Sequence, residues 1–303
     1  MKSPSTNNQP EWTIIRLLEW TTSYFKSHHI DSPRATAEML LAHALRLNRI
    51  DLYLQYDRPL NRDELAVFKS LIQRRCKKEP VAYILGRKGF WNHEFEVGPS
   101  VLIPRPDTEC LLEAVLALLP RPTASHAVSS HPKYILELGT GSGAVIISLA
   151  AERPHAVCFA TDRSLDAVWQ ARSNALQQGL ADKIHFCVAD WLDAFQCHQP
   201  IFDIICSNPP YIPTEEIQAL QPEIRYYEPF MALDGRKDGL CAIRHLIHQA
   251  HFYLKAGGAL LLEIGHDQQS EVSRLITACD HYEKITFIKD YAGKDRVVQM
   301  IKK

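Results

Sequence analysis

From residue 134 to the end, the chain alternates short apolar runs of strand length with longer stretches of helical period. No other feature constrains its fold as much. The runs "YILEL", "AVCFAT", "IHFCVA" and "FDIICS" are separated by helices predicted from 143 and from 164, and a helix at about 240–254 precedes "ALLLEIG". A helix between two strands returns the chain to the same edge of the sheet, so the strands run parallel and helices cover both faces. The last two runs, "EKITFIKD" and "RVVQMIK", have no helix between them and are predicted to pair antiparallel. The expected fold class is therefore α/β, with a Rossmann-like, mostly parallel sheet and an antiparallel C-terminal strand.

The first 86 residues read differently. Ile14, Leu17, Leu18, Thr21 and Tyr24 follow a 3.6-residue period, and Pro33 opens the helical stretch "RATAEMLLAHALRL". Asn61 is a predicted N-cap for "RDELAVFKSLIQRRCKK", with acids in its first turn and bases in its last. Residues 1–86 are thus expected to form a small helical bundle. Residues 87–104 are expected to form a hairpin linker turning around Asn92-His93, and 105–303 the α/β domain, entered through "VLIPRPDTE". The Pro/Ser-rich stretch 120–132 is predicted to be a loop, and "MKSPSTNNQP" a frayed lead-in with no secretory character.

Residues 1–88 hold 15 lysines and arginines against 9 acids, while the remainder holds 19 against 26. A basic module is joined to an acidic one, and Arg74, Arg75, Lys77 and Lys78 are the expected docking edge for an acidic partner. No apolar run reaches membrane-spanning length. The eight cysteines form no C-x-x-C pair, so no metal site is expected and the thiols point to a reducing cytoplasm. His28-His29 is expected to be a polar helix end.

"ELGTGSGA" places Gly139, Gly141 and Gly143 between a strand and a helix, where the backbone can approach a ligand without Cβ clashes. The pattern departs from G-x-G-x-x-G, since position 144 is alanine. Asp162 closes the next strand and is placed to accept from two ribose hydroxyls. Asp190 and Trp191 close the third, the acid facing an adenine amino group and the indole offering a flat wall. Three successive strand ends of this kind predict a nucleoside-bearing cofactor at the carboxyl edge of the sheet.

The fourth strand runs into "SNPPYIP". Two prolines fix φ, so the Asn208 side-chain oxygen and the Pro209 carbonyl become two acceptors at a set separation. Such a pair suits a planar –NH2 group gripped by both hydrogens, with Tyr211 stacked over its plane. Accepting both N–H groups directs electron density to the nitrogen and aims it at an electrophilic methyl, with no metal and no covalent intermediate.

With these residues in hand, "ELGTGSGA" and "SNPPYIP" resemble the class I S-adenosylmethionine-dependent methyltransferases that act on planar amino groups. "VLIPRPDTE", "YEPFMALDGRKDGL", "EIG" and the helical N-terminal module resemble the release factor glutamine methyltransferases (the PrmC/HemK family) over nearly the whole chain. The resemblance implies methylation of the glutamine in the Gly-Gly-Gln motif of peptide chain release factors, with S-adenosylhomocysteine as the other product. It implies that Gly139, Thr140, Gly141, Ser142, Gly143, Asp162, Trp191 and Asn208 bind S-adenosylmethionine, and that Asn208, Pro209, Pro210 and Tyr211 bind the glutamine. Arg105 and Glu109 would shape the active-site wall. One departure stands out: relatives carry Gly-Gly after "AL", and this chain has Gly235-Arg236. A ribosomal-protein glutamine methyltransferase is the nearest alternative. An adenine-specific nucleic-acid methyltransferase fits the near-neutral charge poorly, so no nucleic-acid substrate is expected, and a nicotinamide-dependent oxidoreductase leaves "NPPY" unexplained.

Overall fold

The structure, a computed structural model, describes residues 12–119, 131–195 and 200–303. The lead-in, most of the 120–132 loop and Cys197 lie outside the described residues. The chain divides into two compact units, Met1–Leu85 and Gly86–Lys303.

The first unit contains α1 (Ile14–Ser27), α2 (Pro33–Leu45), α3 (Arg49–Leu54), α4 (Arg62–Cys76) and α5 (Val81–Leu85). Ile14, Leu18, Phe25, Leu40, Leu41 and Phe68 form its core. Phe25 takes the inward position after Thr21. Tyr24, one step round the helix, is partly buried against the same core, stacked on Trp20 (4.9 Å) and tilted against His28 (4.1 Å). Asn61 caps α4 as its sequence suggests: its Oδ1 accepts from Glu64 N at 2.9 Å, and the Glu64 carboxylate accepts from Asn61 N at 2.9 Å.

The expected basic docking edge is largely committed within this unit. Arg75 is buried, and its Nη1 donates to the Glu79 carbonyl at 3.2 Å. Arg74 makes two bonds to the Glu79 carboxylate, and Lys78 Nζ donates to the His29 carbonyl at 2.7 Å.

The second unit opens with a hairpin of β1 (Arg87–Phe90) and β2 (His93–Glu96), with Phe90 opposite His93. The segment read as a linker therefore packs as part of this unit. A 3₁₀ turn (Pro106–Thr108) leads into α6 (Glu109–Leu118). The sheet strands are β3 (Tyr134–Leu138), β4 (Val157–Asp162), β5 (Ile184–Val188), β6 (Phe202–Ser207), β7 (Leu254–Glu263), β8 (Tyr282–Lys289) and β9 (Asp295–Lys302). Between them run α7 (Ala144–Glu152), α8 (Leu165–Gln177), α9 (Pro222–Tyr227), α10 (Phe230–Leu233), α11 (Cys241–Ala250) and α12 (Gln269–Cys279).

The strand order is β5-β4-β3-β6-β7-β9-β8, parallel throughout except for β9, which is antiparallel to both neighbours. Strand periodicity divides the core cleanly. Ile135, Ile204 and Leu261 face the layer of α6 and α7, while Leu136, Ile205 and Leu260 face α11 and α12. The order reverses between β3 and β6, and in an open sheet of this kind the crevice beyond the carboxyl ends at that switch point takes the ligand.

Candidate active site

A cleft of about 670 Å3 lies at that switch point, a volume suited to a ligand the size of a nucleoside. Its floor is the loop after β3. Gly139, Gly141 and Gly143 stand at φ +73°, +54° and +81°, backbone that L side chains rarely adopt. Their surroundings differ. A Cβ on Gly143 would lie 2.7 Å from Ile147 Cδ1, whereas one on Gly141 would meet nothing within 4 Å. Gly143 is a packing glycine at the start of α7, and Gly141 leaves a cradle that a side chain would fill.

Asp162 holds this loop to β4. Its Oδ2 accepts from Gly141 N and its Oδ1 from Ser164 N, both at 2.9 Å. Burial raises its pKa against those two bonds. Trp191 stands at φ +50° at the end of β5 and forms the wall beside Gly139, with His245 of α11 6.5 Å from its ring. Asp190 lines the same wall from an exposed position.

One residue of the floor escaped the sequence reading. Glu137 is buried within the apolar run "YILEL", accepts from Thr140 Oγ1 at 2.6 Å and from Ile146 N at 3.2 Å, and lines the cleft. Burial pushes its carboxyl up to about 8. An acid inside an otherwise apolar strand was the available signal, since such a group is buried only for a reason.

The far wall joins segments distant in sequence. Arg105 donates to the Glu228 carboxylate, which also accepts from Ile103 N at 3.2 Å, so "IPRP" is tied directly to "YEP". Asp234 accepts from Thr214 Oγ1 (2.5 Å) and Arg236 N (2.9 Å), tying "ALD" to the segment after "NPPY". Arg236 stands at φ +69°, which accounts for the glycine expected there, and its Nη1 lies 3.3 Å from the Asp234 carboxylate.

The structure brings Asn208 and Pro210 to the cleft with Arg105, Thr140, Gly141 and Ser142. It does not bring Pro209, Tyr211, Glu109 or Gly143 to the lining. Tyr211 turns inward: its hydroxyl donates to Glu263 Oε1 at 3.3 Å, and its carbonyl accepts from Gln268 Nε2 at 2.9 Å. Its ring is partly buried against the α11–α12 face of the core. Glu109 accepts from Trp91 N at 3.0 Å and fastens the hairpin turn rather than the wall. Asn208 Nδ2 donates to Thr108 Oγ1 at 3.1 Å, which leaves Oδ1 as its free acceptor end.

The residues fit S-adenosylmethionine. The open cradle at Gly141 admits a ligand against backbone, and Glu137 offers a buried carboxyl to a cationic ligand. Elsewhere among the described residues, His251, Cys279 and His281 have ligand atoms within 4.8 Å of one another. They lie where β7 and β8 begin, at the opposite edge of the sheet. The two imidazoles are stacked 3.8 Å apart at 20°, and lone pairs in nearly parallel planes do not converge on one ion. No helix among the described residues is long and apolar enough to cross a membrane.

Two family models match the chain: a PrmC N-terminal domain over residues 16–86 and a methyltransferase domain over residues 130–301. Proteins named release factor glutamine methyltransferase from Geobacter sulfurreducens and Caulobacter vibrioides are 39% and 37% identical to it. Each match covers 96% of this chain and 97% of the relative. A protein named bifunctional methyltransferase from Rickettsia felis is 36% identical over 95% of this chain and 58% of its own length. Among solved structures, the hMettl16 catalytic domain in complex with MAT2A 3'UTR hairpin 1 matches at a TM-score of 0.53. That match covers 79% of each chain at 13% identity, a likeness of fold alone.

Proposed function

The chain belongs to the release factor glutamine methyltransferase family, and on that premise we propose that its cleft methylates the side-chain amide nitrogen of the Gly-Gly-Gln glutamine in peptide chain release factors. It is an S-adenosylmethionine-dependent enzyme with a methyltransferase domain. Gly139 to Ser142, Asp162, Asp190 and Trp191 hold the cofactor, with Glu137 facing its ammonium group. When bound, the cofactor supplies a methyl group on a sulfonium, an electrophile at carbon.

The observation that carries the reading is the Asn208 amide, fixed at the switch point with Oδ1 left to accept. An amide nitrogen is a weak nucleophile because its lone pair is delocalised. Asn208 Oδ1 accepts from one of its N–H groups, aims the nitrogen and stabilises the positive charge that grows on it as the new C–N bond forms, and one N–H proton then leaves to solvent. Arg105 and Pro210 bound the space the glutamine enters. The transfer needs alignment and hydrogen-bond acceptance, so it calls on no metal. The substrate places the reaction in the cytoplasm, and neither nucleic acid nor membrane enters it.

The test is transfer of labelled methyl to a recombinant release factor, beside a variant whose motif glutamine is alanine. Label on the natural protein alone is expected; equal labelling of both would refute the substrate. Asn208→Ala is expected to retain substantial cofactor binding by calorimetry and to lose about a hundredfold or more in kcat, the scale of one lost transition-state hydrogen-bonding group. Unchanged kcat would remove Asn208 from the chemistry.

A further inference from the structure

We propose that Thr108 is a positioning residue for this transfer: standing between Glu263 and Asn208, its hydroxyl fixes which end of the Asn208 amide faces the cleft. The inference rests on the reading of Asn208 as the acceptor of the substrate –NH2.

An asparagine amide is nearly symmetric in shape, and its two ends do opposite things. Oδ1 accepts from a substrate N–H, whereas Nδ2 would set donor against donor. Nothing in the side chain itself chooses between them. The choice has to come from a neighbour that can only accept.

Thr108 is made into such a neighbour. Its hydroxyl has one proton and faces Glu263, whose carboxyl it helps hold down against burial. Glu263 is 1% exposed. Its Oε1 accepts from Tyr211, and its Oε2 is buried with no hydrogen-bond partner among the described residues. A buried carboxylate oxygen left without a donor is costly, so the Thr108 proton goes to Glu263. The hydroxyl oxygen then has only lone pairs to offer, and Asn208 meets it with Nδ2, at 3.1 Å. Oδ1 is turned to the substrate.

The chain this assigns runs one way: substrate N–H to Asn208 Oδ1, Asn208 Nδ2–H to Thr108 Oγ1, and the Thr108 proton toward the unpartnered Glu263 oxygen. Hydrogen bonds aligned in series polarise one another, so the buried negative charge makes Asn208 Oδ1 a stronger acceptor at the moment the substrate nitrogen becomes positive. Thr108 lies 100 residues from Asn208 in sequence. It is the threonine of "PRPDTE".

The experiment compares Thr108→Val and Thr108→Ser with the wild type in methyl transfer to release factor, with cofactor affinity measured by calorimetry on each. Valine keeps the shape and removes the hydroxyl. It is expected to lower kcat about ten- to a hundredfold, the cost of one buried hydrogen-bond group, with KM and cofactor affinity held within about twofold. Serine restores the hydroxyl and is expected to recover most of the rate, which filling the space alone would not do. A pH profile adds an independent readout. Glu263 is flanked by Tyr211, Arg296 and Asp107, and its carboxyl lies at about 7, so wild-type kcat is expected to rise through that pH and Glu263→Gln to flatten the rise. Thr108→Val turning over like the wild type, or Thr108→Ser no better than valine, overturns the role. A wild type that labels no release factor would instead refute the substrate reading, and the two failures are distinct.

Discussion

Alanine at Gly143 would insert a methyl 2.7 Å from Ile147 Cδ1 and 3.1 Å from Ala171 Cβ, on backbone held at φ +81°. Two costs follow. Left-handed backbone costs an L residue about 1–2 kcal/mol, and overpacking a filled core costs about 1–3 kcal/mol more. Ile147 and Ala171 are both fully buried and have nowhere to move. Gly143→Ala is therefore expected to destabilise the second unit by roughly 2–5 kcal/mol, or about 5–15 °C in Tm for a domain of this size. Gly141 makes the controlled comparison. Its φ of +54° carries the same backbone penalty, but its Cβ meets nothing within 4 Å and projects into the open cradle. Gly141→Ala is expected to cost about 1 kcal/mol of stability and at least about tenfold in cofactor affinity. Scanning calorimetry and cofactor titration on both variants decide the matter. If Gly141→Ala melts as low as Gly143→Ala, or if Gly143→Ala melts with the wild type, the division into a packing glycine and a ligand glycine is wrong.

Two further outcomes follow from the same wall and floor. Burial holds the Glu137 carboxyl at about 8, above its ordinary 4.5, so its contribution to stability is full below the ordinary value and is lost as pH rises through about 8. The unfolding free energy of the cofactor-free enzyme is expected to fall by a few kcal/mol across that window in denaturant titrations. Glu137→Gln should flatten the fall, and an equal slope in both proteins would contradict the origin given for it. Arg236→Gly should stabilise the protein by about 0.5–1 kcal/mol, because the left-handed backbone costs arginine more than its largely exposed ion pair with Asp234 returns. A lower denaturation midpoint in the glycine variant would show that the ion pair outweighs the backbone.

Much of this was legible in the sequence because it is local. The strand runs, the antiparallel terminal pair, the Asn61 cap and the glycine loop each follow from residue type and short spacing. The place of Asn208 followed from topology, since a fourth parallel strand must end near the first. What the sequence did not disclose depends on partners far along the chain. Tyr211 follows two prolines and is easily read as a stacking ring, yet Glu263 and Gln268, more than 50 residues away, draw it into the core. Glu109 was displaced from the wall by Trp91 N, and Arg75 from the surface by the carbonyl of Glu79. Thr108 had no local mark at all, since an acceptor-only hydroxyl is made by its surroundings.

The hairpin that follows the helical unit has one more consequence. Asn174 of α8 accepts from Glu96 N at 2.8 Å and donates through Nδ2 to the Glu96 carbonyl at 3.0 Å and the Ser142 carbonyl at 2.8 Å. One amide thus fastens β2 and the glycine loop together. In evolutionary terms the seam for recombination lies at Gly86, ahead of the hairpin and not behind it. A lineage could exchange the helical module for another, but a cut after residue 96 would leave the Ser142 carbonyl sharing a side chain whose other partner had gone. The hairpin and the glycine loop are fastened by one side chain.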